Sequence, residues 1–161
     1  MVPRPESAMA TTDSKLPEFH GEFSFGIDGS RRVMIPAKWR PKDPGVEFHV
    51  ILWPIQTKEY LLVLPPERWQ LLLERLKGNS INNRGLAAYE REIARSSAVL
   101  ELDKVGRFCL PENLAEQAGI NGEAFFVGRL NKFEIWNPKR AKAAAAADVA
   151  LVNEIAGSIE L

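Results

Sequence analysis

An aspartate followed four residues later by an arginine is a pattern with chemistry in it. The carboxylate can accept hydrogen bonds from backbone amides two residues on and so shape a turn. The guanidinium then stands at the start of the next strand, where its planar fork of donors suits phosphate or the edge of guanine. The chain carries this pattern twice, as Asp28-Gly-Ser-Arg-Arg32-Val-Met-Ile-Pro36 and as Asp103-Lys-Val-Gly-Arg107-Phe-Cys-Leu-Pro111. The Asp, the Arg and the Pro are each displaced by 75 residues, so the register is fixed. One small structural unit is built twice. A turn that presents an arginine, used twice, points to a surface that reads something repetitive and anionic. A plainer reading stands beside it: an Asp–Arg pair that only stabilises a hairpin, duplicated with the rest of its unit.

The two copies differ in charge. Residues 28–42 hold Arg31, Arg32, Lys38, Arg40 and Lys42 against Asp28, a net of +4. The matched window 103–117 holds Lys104 and Arg107 against Asp103, Glu112 and Glu116, a net of −1. The whole chain balances 21 basic against 21 acidic side chains, so only the distribution of charge is informative. On this count the first unit is the basic one. Arg32 is then the candidate for base or phosphate contact, with Arg31, Lys38 and Arg40 on phosphates and Asp28 orienting the loop. Trp39, with no aromatic neighbour in sequence, reads as core rather than as a stacking platform.

Residues for catalysis are scarce. His20 and His49 stand apart and make no metal spacing with Cys109, and HExxH, CxxC, GxSxG and P-loop patterns are absent. The expectation is a protein with no catalytic residue, no metal site, no cofactor and no small-molecule substrate. Cys109 reads as an inert small hydrophobe in a strand. A single Cys forms no intramolecular disulfide and suits a reducing compartment. No apolar run approaches the roughly 20 residues that span a bilayer, so no membrane partner is expected. Residues 1–18, rich in Pro, Ser, Thr and Ala, lack the apolar core of a signal peptide and read as a disordered tail, with Met9 as an alternative start. The expected place is the cytoplasm.

The elements that must position the two turns follow from pattern. Phe23 to Ile27 is a strand leading into the first turn, Arg32-Val-Met-Ile returns from it, and Pro36 opens a helical turn. In the second copy Val99-Leu-Glu-Leu leads in, Phe108-Cys-Leu returns, and Pro111 to Ala118 is a short helix that Gly119 ends. Two more strands close each unit: His49–Trp53 with Tyr60–Leu64, and Ala124–Val127 with Lys132–Trp136. A longer helix follows each unit. The one from Pro66 places Trp69, Leu72, Leu73 and Leu76 on one face, and Gly78-Asn-Ser breaks it. Asn83 to Ser97 is a second helix, with Arg84, Arg91 and Arg95 on one side as a solvated face or a contact to DNA or another subunit. The Ala-rich run from Pro138 is a third. The segments are a tail over 1–18, a first unit over 22–69, a helical connector over 70–97, a second unit over 98–141 and a C-terminal helix over 142–161.

These residues resemble a known family. Ile27-Asp28 with Arg32 and Ile35-Pro36-Ala-Lys-Trp-Arg40 is similar to the first half of MraZ proteins. Leu102-Asp103-Lys-Val-Gly106-Arg107 and Val127-Gly128-Arg-Leu-Asn-Lys132-Phe133-Glu134-Ile-Trp136 are similar to the second half. The likeness covers about residues 19–140. It implies an α+β fold of two tandem AbrB/SpoVT/MazE-like units, each a swapped-hairpin type of β-barrel, in a pseudo-two-fold arrangement with flanking helices. It implies a DNA-binding transcriptional regulator and not an enzyme. Such a protein assembles as a ring-like homo-oligomer on the nucleoid and binds short G-rich direct repeats upstream of its own division and cell-wall gene cluster. The family's DNA-contacting Asp-x-x-x-Arg elements fall here on Asp28/Arg32 and Asp103/Arg107.

The family turn reads Asp-x-Lys-Gly-Arg. The second copy departs from it only at Val105, whereas the first has Ser30 for Lys and Arg31 for Gly. If the turn needs φ > 0 at that point, Arg31 costs about 1–2 kcal/mol, unless Gly29 lets the turn change type. Two other readings compete. A MazE-like antitoxin shares the unit, but carries one copy and an acidic disordered tail. A pyruvoyl enzyme would cleave itself at Gly29-Ser30.

Overall fold

The computed structural model of the chain describes residues 16–78 and 83–159. The first repeat forms β1 (Glu22–Gly26), β2 (Arg32–Met34), a 3-10 turn (Ala37–Trp39), β3 (Glu47–Trp53) and β4 (Tyr60–Leu64). Helices α1 (Pro66–Lys77) and α2 (Asn83–Arg95) follow. The second repeat forms β5 (Ser97–Glu101), β6 (Arg107–Cys109), α3 (Glu112–Gln117), β7 (Glu123–Gly128) and β8 (Phe133–Trp136), and α4 (Pro138–Ala156) follows it. β5 and β6 sit 75 residues after β1 and β2, the spacing of the Asp-x-x-x-Arg motifs.

Local chemistry sets the ends of these elements. Pro66 and Pro138 open α1 and α4, at positions whose missing N–H would have no helical partner. Asn137 caps α4: its Oδ1 accepts the backbone N–H groups of Lys139 and Arg140 at 2.8 and 3.0 Å. α2 stops at Arg95, two residues short of the expected end, because Ser97 is already paired to Ile51 in the sheet. The Asn79-Ser80 break and residues 1–15 of the tail lie outside the described residues.

The strand pairings interleave the repeats. One antiparallel sheet of six strands runs β1-β7-β8-β4-β3-β5, and β2 and β6 form a separate two-stranded ladder. β1 pairs with β7 of the other repeat, and β5 with β3 of the other repeat. Exchanging the repeats turns the sheet order into its own reverse, so a pseudo-two-fold axis passes between β4 and β8 and between β2 and β6. The expected α+β class is what is found. The two barrels are not: among the described residues the strands make an open sheet plus a ladder. Each repeat lends its first strand to the other's third strand, so neither closes on itself.

The ladder covers one face of the sheet, and a single core lies between them. Val33, Ile35, Trp39, Phe48 and Val63 of the first repeat pack with Phe108, Leu110, Leu114, Phe126 and Phe133 of the second. Trp39 is 5 % exposed, with its ring against Phe19, Phe23 and Phe133, so it is core as expected. The sheet's other face carries Ile51, Tyr60, Leu62, Leu64 and Trp136, against which Trp69, Leu72 and Ala141 of α1 and α4 pack. With a core on one side and helices on the other, β4 is buried along its whole length.

Candidate nucleic-acid interface

The two Asp-x-x-x-Arg segments fold into the same turn. In the first, the backbone N–H of Asp28 donates to the Arg32 carbonyl at 3.0 Å, and Arg31 N–H donates to the Asp28 carbonyl at 3.0 Å. One Asp28 carboxylate oxygen accepts the backbone N–H groups of Ser30 and Arg32, each at 2.9 Å. The other accepts Nε–H of Arg32 at 2.9 Å. The second turn repeats this with Asp103, Val105, Gly106 and Arg107, its Nε contact at 2.8 Å. Both carboxyls are held below the usual aspartate range, chiefly by the backbone N–H of the paired arginine. Each carboxylate therefore fixes the turn and aims its guanidinium at the same time.

The turn demands a left-handed residue at its last inner position. Gly106 meets the demand with φ +94°, and Arg31 adopts φ +63° in the matching place. The first turn does not change type around Gly29. It keeps the geometry of the second turn and accepts a steric cost of about 1–2 kcal/mol.

The ladder brings both arginines to one surface. Its pairs are Arg32 with Cys109, Val33 with Phe108 and Met34 with Arg107. Val33 and Phe108 point into the core, so Arg32, Met34, Arg107 and Cys109 form the outer face. Cys109 is exposed there, with Sγ 3.5 Å from the Ser30 carbonyl, and is not a buried hydrophobe. The Arg32 side chain is 42 % exposed and that of Arg107 27 %. Arg107 also reaches Asp28, at 4.0 Å, so the turns are coupled across the ladder.

Interleaving changes which charges surround which turn. The sequence windows made the first unit basic. In space, Arg40, Lys42 and one acidic residue, Asp43, of the first repeat line an open cavity of 330 Å³ with Asp103, Lys104 and Gly106 of the second turn. Glu112 and Glu116 of the second repeat line one of 660 Å³ with Asp28, Gly29 and Arg31 of the first turn. The basic neighbours thus gather on the second turn, and the acidic ones on the first. Linear windows miss this because each 3-10 turn or short helix packs on the turn of the other repeat.

The remaining candidates are placed unequally. Lys38 is exposed in the 3-10 turn. Arg40 is half-buried, and its Nε and Nη2 both donate to the Ile35 carbonyl, at 3.3 and 3.2 Å. Arg31 donates through Nε to the Leu110 carbonyl at 3.2 Å, with Glu112 4.0 Å from its Nη1. Lys42 and Lys104 were not among the sequence candidates, although each lies within or beside a motif window. On α2, Arg95 pairs with Glu92 at 3.1 Å, the plain reading of that face. His49 lies flat on Trp69 with ring centres 4.2 Å apart, and burial lowers its pKa. Among the described residues no three of His, Cys, Asp and Glu are grouped to hold a metal ion, and no helix is long and apolar enough to cross a membrane.

Known proteins bear on this geometry. A family profile described as "MraZ protein, putative antitoxin-like" matches residues 93–149, from the end of α2 through β8 into α4. The transcriptional regulator MraZ of Lachnoclostridium phytofermentans is 36 % identical over 122 residues, covering 76 % of this chain and 83 % of that protein. The protein of the same name from Clostridium tetani is 32 % identical over 125 residues, with the same coverage. That of Azotobacter vinelandii is 28 % identical over 142 residues, covering 88 % of this chain and 93 % of its own.

Proposed function

The chain belongs to the MraZ family of transcriptional regulators, and on that premise we propose that the β2–β6 ladder is its DNA-reading surface. The observation that carries the reading is the pair of identical turns on one two-stranded ribbon. Each holds an arginine of the ribbon's outer face by the carboxylate four residues earlier. A two-stranded ribbon fits the major groove, where an arginine fork matches O6 and N7 of guanine. Arg32 and Arg107 read bases, Asp28 and Asp103 aim them, and Lys38, Lys42 and Lys104 meet phosphates. No part of this involves catalysis.

The target is double-stranded DNA with short G-rich direct repeats upstream of the protein's own gene cluster, bound on the nucleoid in the cytoplasm. Several copies act together as a ring-like homo-oligomer. Support for assembly comes from apolar surface left uncovered among the described residues. Val149, Leu151, Val152 and Ile155 of α4 are exposed, as is Ile159 beyond it. An open cavity of 540 Å³ lined by Trp69, Leu73, Leu76, Ile93, Ala94 and Val99 lies between α1, α2 and the edge strand β5. The antitoxin alternative calls for an acidic disordered tail, whereas residues 138–156 form a helix.

Footprinting on DNA upstream of the gene, followed by gel shift beside light scattering, tests the proposal. A probe with three repeats is expected to bind far more tightly than a probe with one, because linked sites add avidity. Arg32→Ala and Arg107→Ala are each expected to cost about 1–3 kcal/mol per engaged site, with the assembly intact. Equal affinity for both probes, or full binding by both variants, defeats it.

A further inference from the structure

We infer that Arg31 and Arg40 are one positioning device used twice, a single guanidinium per notch supplied from opposite sides, so that Arg31 with Ala115 substitutes for Gly106 with Arg40. The inference rests on the DNA-reading role of the two turns.

The repeat register exposes the equivalence. Displacement by 75 residues carries Arg31 onto Gly106, Ile35 onto Leu110 and Arg40 onto Ala115. In each notch the turn of one repeat meets the strand end of the other. Ile35 N–H donates to the Gly106 carbonyl at 3.2 Å, and Leu110 N–H donates to the Arg31 carbonyl at 2.9 Å. Those contacts are the same bond on the two sides of the pseudo-axis.

A guanidinium donates to the strand-end carbonyl in each notch, but it arrives by different routes. In the notch of the second turn it comes from Arg40 and donates to the Ile35 carbonyl. A side chain at position 106 would not fit beside it: a Cβ on Gly106 would stand 2.6 Å from Cζ and Nε of Arg40. In the notch of the first turn the matching helix residue is Ala115, which leaves the space open. Arg31 fills it from the turn itself and donates to the Leu110 carbonyl, the partner equivalent to Ile35. The turn glycine and the arginine that follows the 3-10 turn are therefore replaced together, and the clamp on the carbonyl is kept. Arg31 and Arg40 hold the reading turns in place rather than contacting phosphate.

A double-mutant cycle decides this, first on the full-length protein without DNA. Arg31→Gly removes the clamp, and hydrogen exchange at the Leu110 and Arg32 amides is expected to quicken at least about tenfold. Ala115→Arg alone places two guanidinium groups in one notch and is expected to lower the unfolding midpoint. Arg31→Gly with Ala115→Arg rebuilds the arrangement of the other notch and is expected to return exchange to within about threefold of the parent. The mirror pair, Arg40→Ala with Gly106→Arg, gives a second cycle if a single variant does not fold. Rescue of folding by the partner change is then itself the expected result. Strictly additive effects in both cycles overturn the inference.

The second arm measures affinity for the footprinted DNA against salt. Arg31→Gly is expected to weaken binding about tenfold without changing the slope, and the double variant to recover it. A slope smaller by about 0.9, with no recovery in the double variant, marks Arg31 as a phosphate contact and overturns the inference. If the parent protein binds no such DNA, the DNA-reading proposal fails while the exchange cycle still decides the clamp.

Discussion

Asp28 and Asp103 each do two things with one carboxylate, and acid separates those roles from the rest of the fold. Their folded pKa values lie below the unfolded value of 3.8. The stability they contribute is therefore complete above about pH 5 and is lost as pH falls through the lowered folded values. Asp28→Asn with Asp103→Asn is expected to flatten the acid limb of a thermal melting series below pH 4, and to lower the melting temperature by a constant amount between pH 6 and 9. Scanning calorimetry across that range checks it. The same variant is expected to bind DNA poorly at neutral pH, since both arginines lose their aim. The two Asp–Arg pairs were fully legible in sequence, because each is a contact over four residues. The electrostatic surroundings were not, because the residues that matter come from the other repeat.

That exchange of neighbours gives a charge prediction at the same scale. Lys42→Ala and Lys104→Ala are each expected to weaken DNA binding and to reduce the salt slope by about 0.9 if one phosphate contact is lost. Glu112→Gln and Glu116→Gln are expected to strengthen binding, because they lie beside the first turn. Fluorescence anisotropy over a salt series distinguishes these outcomes. Linear windows assign both carboxylates to the second turn, where removing them would matter little to the first.

At the scale of elements, the short ladder is the weak point and the useful one. Three residues per strand make too little backbone pairing to stand alone, so the ladder depends on Val33 and Phe108 beneath it. Phe108 is fully buried, with its ring 5.4 Å from that of Phe48. Phe108→Ala is expected to cost about 3–5 kcal/mol and to loosen both turns together. Denaturant unfolding gives the first quantity, and the loss of DNA binding at native temperatures gives the second. Strand identity was readable from alternation, as in Phe23 and Phe25 against Glu22 and Ser24. Strand pairing was not, since alternation says which face is buried and nothing about which neighbour supplies the hydrogen bonds.

For the whole molecule, the interleaved sheet makes the two repeats one folding unit. Among the described residues, β1 has its only sheet partner in the second repeat, and β5 has its only sheet partner in the first. A fragment ending at Gly78 is expected to remain unfolded as a monomer, with Phe48, Val50 and Leu61 exposed. Mixing it with a fragment starting at Asn83 is expected to restore the native circular dichroism spectrum. An independently folded first fragment that stays monomeric on size exclusion would contradict the shared core.

The pseudo-axis has a further consequence for how such a molecule meets DNA. A true two-fold dimer reads the same in both directions, and so selects inverted half-sites. Here the axis relates the backbones but not the side chains. Gly106 faces Arg40 at one end of the ribbon, Arg31 faces Ala115 at the other, and the basic and acidic rims lie at opposite ends. Joining two copies in one chain let them diverge, and the divergence gives the ribbon a head and a tail. A reader with polarity suits sites that all point the same way along the duplex.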